Sequence, residues 1–326
     1  MYPFTALIAL AVDASVGYPQ WIYERIGHPV SWIGRLITWC ELRWNGPAFS
    51  FTRRRFNGAV ALIVVLAVTT TICVALTQAI GWLIPQPYAV LLLALTASTL
   101  IAQRSLDEHV MAVASALEQG GVEAGRHAVG MIVGRDTAAL DEAGVSRAAI
   151  ESLAENYSDG IVAPLFWMLF GGLTGAGLYK AINTADSMIG HKSERYRAFG
   201  WASARFDDLV NLPASRLAAL FLIVGAGLAP GCNPRAALHA VINDARRHRS
   251  PNAGWPEAAM AGALGIALAG PRTYHGAVVN DGWMGSGRHD IGAPDIRRAL
   301  RLYRIANVAQ ATALALIALA TLLLVR

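Results

Sequence analysis

Charge is scarce in this sequence, and cysteine is scarcer. Only 15% of the 326 residues are charged, against roughly 25% in an average soluble domain. That leaves too little solvated surface for a soluble globular protein of this length. The three cysteines, Cys40, Cys73 and Cys232, are scattered without pairing or ligand spacing, which excludes a disulfide framework and a thiolate zinc site. There is no Gly-x-x-x-x-Gly-Lys-Ser/Thr phosphate loop, no His-Glu-x-x-His and no Gly-x-Ser-x-Gly, so any nucleotide is held by an unorthodox site. No motif suggests nucleic acid. Internal repeats and low-complexity linkers are absent as well, and residues 1–326 read as a single membrane-embedded domain.

What is abundant is apolar: hydrophobic residues are 55% of the chain, and mean hydropathy is +0.41. Not one charged side chain falls between Arg55 and Arg104. Pro85 and Pro87 divide that run into halves, each about the 20 residues a helix needs to cross a hydrocarbon core. Ile305 to Val325, closed by Arg304 and Arg326, is a second span, and Leu217 to Pro234 a third apolar run. Met1 to Val12 has no basic n-region and runs into Asp13; it reads as a first membrane helix rather than a cleaved signal peptide.

Four polar stretches alternate with these runs: 13–56, 104–159, 180–216 and 235–304. The first, third and last are rich in Arg and Lys, the mark of cytoplasmic loops. A single crossing by 160–179 would place 180–216 opposite 104–159. That segment carries Pro164 and the run GGLTGAG, which weaken a straight helix. It is expected to be re-entrant or broken and buried in protein, as is the short run 258–271. Stretch 104–159 spaces Val110, Val113, Ala114 and Leu117 as a helix does and reads as a cytoplasmic helical cap. The expected fold class is thus an all-α polytopic membrane protein with re-entrant or broken helices.

Two constellations carry chemistry. In Glu151-Ser-Leu-Ala-Glu155-Asn156-Tyr-Ser-Asp159-Gly160, carboxylates four apart share a helix face. They repel without a cation, and the oxygen-rich set suits Mg²⁺; the competing reading is a solvated acidic face. In the second, Lys180, Asn183 and Asp186 fall at three-to-four spacing, then Gly190-His191-Lys192 turns the chain, and Arg195, Arg205, Asp207 and Asp208 follow. Lys and Arg neutralise phosphate, while the aspartates suit its metal; the competing reading is a juxtamembrane segment binding lipid headgroups. Two rigid Pro/Gly loops add His28 and Arg35, then Asn252 and Arg272.

These residues lie in four blocks that resemble the adenosylcobinamide-phosphate synthase (CobD/CbiB) family of cobalamin biosynthesis. They include DASVGYPQWIYERIGHPVSWIGRLI, IESLAENYSDGIVAPLFW, YKAINTADSMIGHKSERYRAFGWASARFDDLVNLPASRL and SPNAGWPEAAMAGALGIALAGPRTYHG, in order over nearly the whole chain. One departure is Gly17-Tyr18-Pro19, where many members carry Gly-Asp-Pro. The resemblance implies an inner-membrane amide ligase joining adenosylcobyric acid to an aminopropanol phosphate with ATP and Mg²⁺. The active site would face the cytoplasm, beside other late cobalamin-pathway enzymes.

Residue chemistry then assigns expected roles. Glu151, Glu155, Asp159, Asp186, Asp207 and Asp208 form the metal pool. His191 accepts a proton, with Lys180 and Lys192 in the catalytic set. His28, Arg35, Asn156, Asn183, Arg195, Arg205, Asn252 and Arg272 contact substrate or phosphate. A transporter would place polar residues inside its spans, whereas these spans are almost free of them. A non-catalytic sensor related to the synthases, such as the AmpE-type regulators, would have eroded charged blocks. Single cysteines placed in 180–216 should be labelled by a membrane-impermeant thiol reagent only from the cytoplasmic side; labelling from outside alone would overturn this topology.

Overall fold

A backbone surrounded by hydrocarbon has no water to pair with, so apolar runs of this length close their hydrogen bonds locally as helix. The computed structural model describes residues 1–134, 136–270, 272–274, 277–279 and 282–324, without the side chains of 272–274 and 277–279. Along the chain run α1 (Tyr2–Ser15), α2 (Gln20–Ile26), α3 (Pro29–Trp44), α4 (Phe51–Leu83), α5 (Tyr88–Ser98), α6 (Gln103–Gly130) and α7 (Glu142–Tyr157). A π turn (Ser158–Val162) leads into α8 (Ala163–Ile189). Then come α9 (Trp201–Val210), α10 (Leu212–Leu228), α11 (Pro234–Asp244), α12 (Gly254–Leu264) and α13 (Ala293–Leu324). Between the last two, β1 (Leu268–Ala269) pairs antiparallel with β4 (Trp283–Met284), and β2 (Arg272–Tyr274) with β3 (Ala277–Val279). The sequence reading had no place for these strands.

Helix starts follow local chemistry. His28, Ser50, Asp141 and Asn233 each accept a backbone N–H with their side chains and cap α3, α4, α7 and α11. Pro29 and Pro234 sit in first turns, where no N–H is needed. Among the described residues, four stretches are long and apolar enough to cross a membrane: Phe51–Leu83, Tyr88–Gly130, Glu142–Ile189 and Ala293–Leu324. A fifth arises if α9 and α10 act as one bent span. The chain is therefore a multi-pass helical membrane protein.

Three segments refine the expectation. The second half of the uncharged run was read as a full span, yet α5 has 11 residues, about 16 Å at the helical rise. Only when counted on to Gly130 does it reach membrane length. Segment 160–179 is broken, as expected: α8 is interrupted at Gly172, whose φ of +55° and ψ of −141° are not helical. A side chain there would also strike the Tyr2 ring. By length, however, this segment belongs to one of the four spanning stretches. Among its described residues, segment 258–271 holds no helix long enough to cross. Helix α12 has 11 residues, all buried from Pro256 to Leu264, and closes at the left-handed Gly265 before β1.

By contacts the chain forms two compact units. The first comprises Met1–Ala102, Ala163–Asn211 and Leu314–Arg326; the second comprises Gln103–Val162 and Leu212–Ala313. In the first unit α4 packs on α3, α8 and α9, and α1 packs on α5 and α8. Its core gathers Ile37, Cys40, Ala61, Leu62, Val65, Ala181, Ala185, Ile189 and Phe199. Small residues let these helices approach closely. At Gly58 the backbone is so near the Phe199 carbonyl that a Cβ could not fit.

In the second unit α10, α11 and α12 pack together, and α6 packs on α7. Val110, Val113 and Ala114 are fully buried, so the amphipathic reading of stretch 104–159 holds for α6, whereas α7 is buried on all sides from Ala148 to Ala154. Arg304 and Arg297 of α13 tie that pair down, reaching Asp107 at 2.7 Å and Glu118 at 2.5 Å. Gly58→Ala should cost about 1–3 kcal/mol by overpacking, seen as a lower thermal unfolding midpoint in detergent. An unchanged midpoint would mean that α4 and the start of α9 are not in this close contact.

Candidate functional site

In the first unit the C-terminal half of α8 faces α9. Asp207 is 8% exposed. Its Oδ2 accepts a hydrogen bond from Asn211 Nδ2 at 2.9 Å, and its Oδ1 a long one from Asn183 Nδ2 at 3.4 Å. Tyr179 donates its hydroxyl to Asn211 Oδ1 at 2.8 Å, which turns the Asn211 amide so that its NH₂ faces Asp207. Burial first, and then the neighbouring Asp186 charge, push the Asp207 carboxyl up to about 7, with a smaller push from Asp208; the two amide donors only partly oppose this. Helix α9 is itself polar, and the apolar part of the α9–α10 pair lies in α10. Asp186 lies against Gly190, where a Cβ would occupy the place of its Oδ1. Asp208 is raised by burial and lowered by Arg205, 3.9 Å away, and by Lys192.

Other expected residues of this unit take different parts. His28 is a helix cap: its Nδ1 accepts from Val30 N at 3.2 Å, and its ring packs edge-on to Tyr18 at 4.6 Å. Burial, and then Lys180, lower its pKa, so the neutral ring carries its proton on Nε2. Lys180 is thus a near neighbour of His28. Arg195 has its guanidinium fork on Glu41, with Nε to Oε1 and Nη2 to Oε2 both 2.9 Å. Burial works against charge on Glu41, but Arg195, Asn45 and Arg54 outweigh it and hold that carboxyl below its ordinary value. Arg195 therefore serves the fold through donors that would otherwise meet phosphate. Arg35, His191, Lys192 and Arg205 are exposed, His191 and Lys192 in the turn after α8.

The remaining residues lie in the second unit. Glu151 is buried, and its Oε1 accepts from Ala269 N at 2.7 Å, clamping the turn where Ala269 holds a left-handed φ of +59°. Glu155 and Asn156 are exposed, and Asn156 Nδ2 bonds back to Ser152 O at 2.9 Å. Asp159 falls in the π turn, where the four-residue register changes. The three carboxylates predicted on one face thus occupy three environments. Asn252 is buried, and its Oδ1 accepts from Arg216 Nη1 at 2.8 Å and Ser215 Oγ at 3.1 Å. Arg272 lies outside the described side chains.

Sequence reasoning missed Tyr179, Asn211 and Arg216. The first two were open to it: Tyr179 precedes Asn183, and Asn211 follows Asp207, by one helical turn each. Among the described residues no three His, Cys, Asp or Glu side chains are grouped to hold a metal ion. Asp207, with the Asp186 charge acting on it, would meet Mg²⁺ as one or two carboxylates and not as a cluster of three. This ion binds through one or two carboxylates and keeps waters and substrate phosphate, and a buried carboxyl opposed by like charges is relieved by a cation.

Residues 6–303 match the family described as CobD/Cbib protein. The cobalamin biosynthesis protein CobD of Rhodobacter capsulatus is 49% identical over 312 residues, 96% of each chain. Its namesake in Rhizobium meliloti is 46% identical over 319 residues, 97% of each chain, and that of Brucella suis 47% over 301 residues, 91% of this chain and 90% of the other. No solved structure matches this chain.

The raised Asp207 pKa fixes the sign of a pH effect. Between 3.8 and about 7 the folded protein holds a proton that the unfolded chain has released, so this contribution to stability is lost as pH rises through that window. The unfolding midpoint in metal-free buffer should fall from pH 5 to pH 8 and recover on adding Mg²⁺ at pH 8. Asp207→Asn should flatten both responses; an unchanged slope in that variant would refute the assignment. His28, shifted the other way, acts only below about pH 6.5.

Proposed function

The chain belongs to the CobD/Cbib family, and from that premise we propose that it is the membrane ligase forming adenosylcobinamide phosphate from adenosylcobyric acid and an aminopropanol phosphate. The observation that carries this reading is the relationship to proteins named for cobalamin biosynthesis over 96% of both chains. The α8–α9 cluster supports it, because it sets Lys192 beside Asp208 and carries Lys180 on the same helix as Asp186, the complement of an ammonium-bearing phosphate. The protein sits in the inner membrane with this cluster facing the cytoplasm, where its phosphorylated substrates are.

A carboxylate does not react with an amine, so it must be activated. Its oxygen attacks the terminal phosphorus of ATP and ADP leaves. The amine nitrogen then attacks the acyl carbon, phosphate departs, and the ammonium proton passes to a base. Lys180 and Lys192 bind and orient the phosphoryl groups. Asp207, supported by Asn183, Asn211 and Tyr179, would hold Mg²⁺ with Asp186 as the second carboxylate. When bound, the ion supplies charge neutralisation at the phosphoryl oxygens. His191, exposed in the turn after α8, accepts the proton and releases it to solvent.

The test is amide formation by purified protein given the corrinoid acid, the amine phosphate, ATP and Mg²⁺. Coupling should require all four and cease with a chelator. Asp207→Asn should lower kcat at least 100-fold, and Lys180→Gln should mainly raise KM for the amine phosphate. Glu155→Gln, exposed and in the other unit, should change the rate less than threefold. Coupling that survives intact in Asp207→Asn would remove this metal site. Corrinoid binding without coupling would replace the ligase by a carrier or sensor.

A further inference from the structure

The second unit contains a guanidinium whose hydrogen-bond partners among the described residues are not carboxylates. Arg216 stands near the start of α10, whose first turn carries no acidic residue, so its charge meets the positive end of the helix dipole. Its Nη1 donates to Asn252 Oδ1 at 2.8 Å and to Ser215 Oγ at 2.9 Å. Both partners are buried, Ser215 completely, and both are neutral. The guanidinium carbon lies 4.3 Å from the centroid of the Trp255 ring, so the group is clamped by packing as well as by hydrogen bonds.

The charged neighbour acting on Arg216 is another cation, Arg246. Among the described residues neither arginine makes an ion pair. The acids of the same loop are engaged elsewhere: Asp244 lies 3.1 Å from Arg247 and also accepts from Gly285 N at 3.0 Å, and Glu257 lies 3.7 Å from His248. The loop is held firmly, because a Cβ at Gly254 would collide with the Ala245 carbonyl and His248 Cβ.

Two guanidiniums close enough to act on each other's charge repel unless an anion joins them, and among the described residues only Nη1 of Arg216 has a hydrogen-bond partner. Its Nε–H and Nη2–H donors remain, arranged as the planar fork that meets two oxygens of a tetrahedral oxyanion. We infer that Arg216 and Arg246 form a phosphate-binding site, with Asn252, Ser215 and Trp255 as the residues that aim Arg216. Asn252, expected from sequence to touch phosphate, acts instead on the arginine that does. The ligand chemistry is a phosphate mono- or diester or a pyrophosphate. It comes either from a soluble phosphoryl compound or from a phospholipid headgroup, since the apolar α10 begins at this site. The inference goes beyond the ligase reading and does not depend on it.

Calorimetric titration of the full-length protein in phosphate-free nonionic detergent tests this and separates the sources. One arm uses pyrophosphate and ATP; the other uses phosphatidylglycerol, with a phosphate-free galactolipid as control. Saturable binding of a phosphate-bearing probe, weakened at least tenfold by Arg246→Gln, is the expected result. Arg246 is exposed, so that variant should fold. Arg216→Lys keeps the charge but loses the fork and should weaken binding similarly. Binding only in the lipid arm assigns the site to a headgroup, and binding in the soluble arm to a substrate phosphate. No binding in either arm, equal binding of the galactolipid, or unchanged affinity in both variants would overturn the site. Because the readout is binding, loss of amide coupling with binding intact would count against the ligase reading alone.

Discussion

In hydrocarbon, each backbone N–H and C=O must find its partner within the chain, and the rest of this structure depends on that requirement. It makes the apolar runs helical whatever their propensities, and it confines departures from helix to places covered by protein. The break at Gly172 lies buried against Tyr2. The π turn is buried at Ser158 and again from Gly160 to Val162. Each departure directs the chain toward polar residues: α8 beyond Gly172 carries Lys180, Asn183 and Asp186, and the π turn itself carries Asp159.

Charge is the second organising term, because there is little of it and several buried or half-buried groups are paired. Asp295 takes Arg288 and Arg298 at 2.8 and 3.0 Å, Arg304 takes Asp107, and Arg195 takes Glu41. Against that background two partly buried charges among the described residues, one in each unit, bear on recognition. In the first, Asp207 is buried between amides and beside other aspartates. In the second, Arg216 is clamped by neutral groups and faced by Arg246. Burial makes such a charge costly unless a partner arrives, and a partner from outside the chain is a ligand. A satisfied pair such as Glu41–Arg195 stabilises; an unsatisfied one recognises.

The sequence made some of this legible and hid the rest for definite reasons. The facing of α8 and α9 could be read, since Lys180, Asn183 and Asp186 follow the helical period and the chain turns at Gly190. The amphipathic face of α6 was equally plain. The carboxylate row at 151, 155 and 159 was spaced for an uninterrupted α-helix and a common environment, and the structure departs from both. A π turn changes the register at Asp159, and the amide of Ala269, more than a hundred residues away, takes Glu151. Arg195 is a similar case: nothing near it in sequence announces Glu41 as its partner. The strands between α12 and α13 are too short for any periodicity to reveal.

By itself the sequence determined that the chain is a helical, multi-pass membrane protein, where its polar stretches lie, and to which family it belongs. Those properties depend on local hydropathy and on the order of residues, which need no contacts to be read. Only the tertiary structure decided which charges are satisfied. Whether a carboxylate or guanidinium is a structural pair or a ligand site depends on partners distant in sequence and on burial, and neither exists until the helices pack.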